Sequence, residues 1–121
     1  MVVILTGAAG SGGTLGRALA DELGWRFEEA SPPRNEGDRD HWAAHLHALV
    51  ARAVDRREPL VVVCPTLEPR HLDVLQGDLR QVRFVHLARD PARERPFDTV
   101  TIDGNHQAAM MIAEIRRELG I

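Results

Sequence analysis

Tyrosine is absent from this chain, and three phenylalanines and two tryptophans are its only aromatic residues. With a formal charge of −3, that leaves neither the stacking surface nor the basic field that nucleic-acid binding uses, and no attraction toward anionic membranes. The single cysteine, Cys64, excludes an internal disulfide and fits a reducing, cytoplasmic setting. Long hydrophobic runs are missing too. The apolar amino terminus lacks a basic lead-in and breaks at Thr6-Gly7, which suits neither a signal peptide nor a membrane span. What is there is 44% apolar and 27% charged residues over 121 positions, enough for one globular domain, 1–121, with a single core. No repeat, low-complexity tract or linker divides it.

The most informative stretch is Gly7-Ala8-Ala9-Gly10-Ser11-Gly12-Gly13-Thr14, which has the frame GxxxxGK[ST] of a phosphate-binding loop with Gly13 where the lysine belongs. Its context is the required one. Val2-Val3-Ile4-Leu5 reads as a strand, and Leu15, Ala18, Leu19 and Leu23 follow at helical spacing. In such a loop the glycines let backbone N–H groups converge on phosphate oxygens, and the helix N-terminus adds about half a positive charge. The candidate binding group is the backbone of Gly10, Ser11, Gly12 and Gly13 with the hydroxyls of Ser11 and Thr14, the latter able to ligate magnesium when a nucleotide binds. A lysine would place a full charge against the outer phosphates, worth roughly 4 kcal/mol at about 4 Å and an effective dielectric near 20. Its loss corresponds to about a thousandfold in transition-state stabilisation.

Further along, Gly24 is a helix stop and Trp25-Arg26-Phe27-Glu28 a second strand. Ala30 to Asp38, with Pro32 and Pro33, is a loop, and Asp40 to Arg56 has helical periodicity. Leu60 to Cys64 is an uninterrupted apolar run, as a parallel strand covered on both faces requires. Leu72 to Gly77 reads as a short helix, Val82 to Leu87 and Phe97 to Ile102 as strands, and Asn105 as the cap of a last helix with Ala108, Met111, Ile112, Ile115 and Leu119 on one face. The alternation predicts an α/β, doubly wound three-layer sandwich with five mainly parallel strands. Only Ala88 to Asp98 is left for the last crossover, broken by Pro91 and Pro96, where a dozen or more residues are usual. Either that crossover packs locally, or the last strand and helix reach a second copy in a domain-swapped homodimer.

The loop followed by Leu15-Gly16-Arg17-Ala18-Leu19-Ala20-Asp21-Glu22-Leu23-Gly24-Trp25 resembles the opening of bacterial gluconate kinases, within the shikimate and gluconate kinase group. Pro32-Pro33, Asp38-Arg39-Asp40-His41-Trp42, Leu60 to Leu67, and Gly77-Asp78-Leu79 with Val82 to Leu87 continue the resemblance. It implies a P-loop kinase fold that uses ATP and magnesium on a sugar acid. The departures fall at functional positions. Gly13 replaces the phosphate lysine, Ala30-Ser31 stands where the family has an acidic pair, and Leu67-Glu68-Pro69 replaces a leucine followed by Lys-Arg with an acidic, kinked segment. The segment after Leu87 is too short for the lid that would close over ATP with its arginines.

Four arginines are candidate substitute cations: Arg17, one turn beyond Thr14, and Arg89, Arg93 and Arg95 in the shortened connection. An exposed or paired helix arginine is the plainer account of Arg17. Asp90 and Glu94 interleave with the other three, which favours a solvated loop. His41 and His45, four apart with His47 nearby, have metal-pair spacing but no third ligand. Cys64, at the carboxyl end of a central strand, lacks an assigned His partner and reads as packing. Asp103 and Asn105 flank Gly104 where related kinases approach the adenine ring, and read as turn and cap residues.

The functional expectation is a degenerate gluconate-kinase-like P-loop protein that binds phosphate, ADP or ATP without efficient phosphoryl transfer. Two alternatives stay open: an active sugar-acid kinase with a substitute cation, and a non-catalytic oligomeric or interaction protein on the same scaffold.

Overall fold

The apolar runs Val2 to Leu5 and Leu60 to Val63 become neighbouring parallel strands, the first of them at the centre of the sheet. The computed structural model describes residues 1–7, 12–30, 36–64, 69–77, 80–90, 92–93 and 99–121. Its elements are β1 (Val2–Gly7), α1 (Gly12–Leu23), β2 (Arg26–Glu29), a 3-10 turn at Glu36–Asp38, α2 (Arg39–Asp55), β3 (Leu60–Val63), α3 (Pro69–Gln76), β4 (Val82–Ala88), β5 (Val100–Asp103) and α4 (Ala108–Leu119). The strands form one sheet in the order β2-β3-β1-β4-β5. Every pairing in it is parallel, so the sheet is wholly parallel where the sequence predicts a mainly parallel one.

Alternation along the strands divides the core. Val3, Leu5, Val61, Val85, Leu87 and Ile102 pack with residues of α1 and α4, whereas Val2, Ile4, Leu60, Val62, Val82 and Phe84 pack with residues of α2 and α3. Helices therefore cover both faces, as a parallel sheet requires. On α4 the buried residues are Met111, Ile112, Ile115 and Leu119, four of the five predicted; Ala108 is exposed. Gly16 lets α1 close onto the sheet, since a Cβ there would lie 2.9 Å from the Phe27 ring and against Val63.

Of the places where the elements differ from the sequence reading, four have identifiable reasons. The Trp25 amide donates to the Ala20 carbonyl (2.8 Å) to close α1, so β2 begins one residue later. Pro69 is the first residue of α3, the position where its missing N–H costs nothing, so it opens a helix rather than kinking a segment. β5 starts at Val100, paired with Val85; Phe97 and Asp98 lie outside the described residues.

The fourth is a correction at α4. Its N-cap is Gln107, with no side-chain cap hydrogen bond, and Asn105 does not cap it. Asn105 instead donates through Nδ2 to the Arg89 carbonyl (2.8 Å) and to Asp103 Oδ1 (2.9 Å), tying the exit of β5 to the exit of β4. Residues 91 and 94–98 of the short crossover lie outside the described residues. β5 pairs with β4 of its own chain, and Arg93 N–H closes a turn on the Asp90 carbonyl (3.0 Å).

Candidate anion site at the carboxyl edge of the sheet

Open parallel α/β sheets bind ligands beyond the carboxyl ends of their strands. Here the central strand β1 ends at Gly7, whose φ of 100° is open only to glycine at low cost, and α1 begins at Gly12. The amino end of α1 thus faces the sheet's carboxyl edge. Its first turn carries no acidic residue, so nothing on the helix itself offsets the positive pole there. Thr14 is exposed on this turn. Gly12 and Gly13 belong to α1, while Gly10 and Ser11 lie outside the described residues.

Of the candidate substitute cations, Arg17 and Arg93 have partners elsewhere, Arg89 is exposed, and Arg95 is undescribed. The Arg17 guanidinium lies 5.1 Å from the centroid of the Phe27 ring, a cation–π arrangement that draws it toward β2. Arg93 Nε is 3.6 Å from Asp90 Oδ2, with side chains 87% and 53% exposed, a pair that solvent screens almost completely. Arg89 is exposed and gives its carbonyl to Asn105. Arg95 lies outside the described residues. All fifteen Lys and Arg positions of the sequence are arginine, so no lysine anywhere can reach the loop.

The other singled-out side chains are explained by packing. His47 donates from Nδ1 to the Leu75 carbonyl (2.8 Å), binding α2 to the end of α3. Among the described residues no group of three or more His, Cys, Asp or Glu could hold a metal ion, and His41 and His45 are exposed. Burial pushes the Cys64 thiol up to about 12, which keeps it neutral and unreactive. Asp103 sits below the ordinary carboxylate range, chiefly because the Asn105 N–H bonds its carboxylate (2.9 Å). Its charged form is therefore the one that holds the turn, and the turn weakens as pH falls through that lowered value. Beside the exit of β2, a cleft of about 280 Å³ is lined, among the described residues, by Glu28, Glu29, Ala30, Trp42 and His45 with Leu46, Leu49 and Val62.

Two residues at the edge have no counterpart in the sequence reading. Thr6 and His86 are the buried polar side chains among the described residues, 6% and 5% exposed, and they stand opposite each other on β1 and β4. Cys64, whose N–H bonds the Leu5 carbonyl (3.0 Å), flanks Thr6 from the β3 side. The available signal was a histidine in a strand covered on both faces, where an apolar residue is expected.

No family model matches the chain. A probable gluconokinase of Mus musculus is 32% identical over 89 residues, which cover 61% of this chain and 48% of that protein; the chain spans about half the length of the curated relatives it matches. An unliganded sugar kinase structure from Janibacter sp. HTCC2649 superposes with a TM-score of 0.82 at 23% identity, covering 99% of this chain and 94% of that one. A gluconokinase structure from Sinorhizobium meliloti 1021 gives 0.73 at 22%, covering 98% and 95%. Among the described residues no helix is long and apolar enough to cross a membrane. The strand order, the glycine turn out of β1 and these likenesses together make this a P-loop kinase fold of the gluconate kinase type.

Proposed function

We propose that this chain binds phosphate, or the phosphates of ADP or ATP, through the backbone of its glycine loop, and that it transfers phosphoryl groups poorly. The observation that carries the reading is the turn of β1 at Gly7 into an α1 amino end free of acidic residues, with glycine at position 13. Backbone N–H groups and a helix pole suffice to hold an oxyanion. Transfer also needs the developing charge neutralised and water kept out. Arg17 over Phe27 and Arg93 beside Asp90 are poor substitutes for a lysine. Residues 89–99 leave too little chain for an arginine-bearing lid, so we read 1–121 as one domain without it. The described lining of the cleft beside β2 carries Glu28 and Glu29, which suits the carboxylate of a sugar acid badly.

The test is an assay with ATP, magnesium and gluconate. The expected result is turnover no greater than that of Thr14→Ala. Gluconate-dependent ATP consumption well above that control would establish the active-kinase reading instead.

A further inference from the structure

The His86 imidazole is buried directly against the point where β1 gives way to the loop. A Cβ on Gly7 would lie 2.8 Å from both Cε1 and Nδ1 of His86, and 2.6 Å from the Leu87 carbonyl oxygen. The ring therefore occupies the space a side chain at position 7 would take. The parallel ladder holds the same place from the backbone side, pairing Thr6 with His86 and Gly7 with Leu87. The ring is also engaged in a further interaction of its own. A polar ring at a buried strand position costs more than an apolar side chain of similar size, so its presence there is informative.

We infer that His86 is a positioning residue for the phosphate loop, a role that rests on the anion-binding reading proposed above. The ring braces Gly7, and through Gly7 it sets the direction in which the chain leaves the sheet. The convergence of the loop N–H groups on a tetrahedral oxyanion depends on that direction, because hydrogen bonds weaken steeply with misalignment. A site whose support is loosened loses binding even when each of its donors is still present.

The test uses inorganic phosphate as the probe, followed by nuclear magnetic resonance on the whole chain. The signals are the Gly12 and Gly13 amides and the Cε1–H of His86, assigned by its loss in the variants. In the native chain the His86 signal should shift saturably with the same dissociation constant as the glycine amides. His86→Ala should weaken phosphate binding about tenfold or more, and His86→Asn, which keeps a flat polar group, should stay within about threefold of native. If His86→Ala does not fold, His86→Leu fills the volume without the flat polar edge and carries the same expected loss.

Native affinity in a folded His86→Ala or His86→Leu would overturn the inference and leave the loop reading standing. A His86 signal indifferent to phosphate while the amides shift would do the same. Absence of binding in the native chain and in Gly13→Lys alike would overturn the loop reading, and the inference with it.

Discussion

The two faces of the sheet differ most at the carboxyl edge. Toward α1 and α4, apolar packing continues to the last position, through Leu5, Val63 and Leu87. Toward α2 and α3 the final row is Thr6, Cys64 and His86, set across β1, β3 and β4. The first face holds down α1, the helix whose amino end is the proposed anion site. The second sets its costlier residues in the row beside Gly7. Both faces carry apolar core, but on the reading proposed above only the second sets polar side chains beside Gly7, which makes core packing and site geometry separable by mutation.

The largest effect should come from the apolar face. Ile115 is fully buried, and Ile115→Ala is expected to cost about 4 kcal/mol in urea unfolding, as truncations in well-packed cores do. A loss below about 1 kcal/mol would show that the packing of α4 on this face contributes little. Next comes the junction. Gly7→Ala places a methyl against His86 and the Leu87 carbonyl at a φ of 100°, and should destabilise by about 2–3 kcal/mol. A neutral outcome would break the link between the loop and the polar row.

The smallest effect belongs to Cys64. Its thiol is raised from 9.0 to about 12 by burial, so the folded chain keeps a proton that the unfolded chain releases. Stability from this group is complete below the ordinary thiol value and is lost as pH rises toward the folded one. Relative to Cys64→Ala, the native chain should lose about 1 kcal/mol between about pH 8 and pH 10. Parallel pH profiles for the two proteins would mean that the row is wetter than described.

The parts legible in the sequence were those whose signal is local and redundant. β1, β3 and β4 are buried on both faces, so composition alone marks Val2 to Leu5, Leu60 to Cys64 and Val82 to Leu87. The edge strands moved by one residue or more because their limits depend on partners: β5 begins where Val85 offers pairing to Val100. Asn105 was read as a helix cap because turn and cap use the same side-chain chemistry, and only the position of the Arg89 carbonyl decides between them. Arg17 gave no sign of Phe27, which lies on another element. His86 was visible as a letter and silent as a role, since its meaning depends on Gly7 lying across a strand pair.

The central claim is that the loop backbone alone holds an anion and that the missing charge at position 13 limits what it can do with one. Calorimetry of ATP, ADP and inorganic phosphate, with and without magnesium, on the native chain and on Gly13→Lys tests it most directly. The account predicts weak binding by the native chain and tighter nucleotide binding, by about tenfold or more, once the lysine is restored. Equal affinities in the two proteins would contradict it.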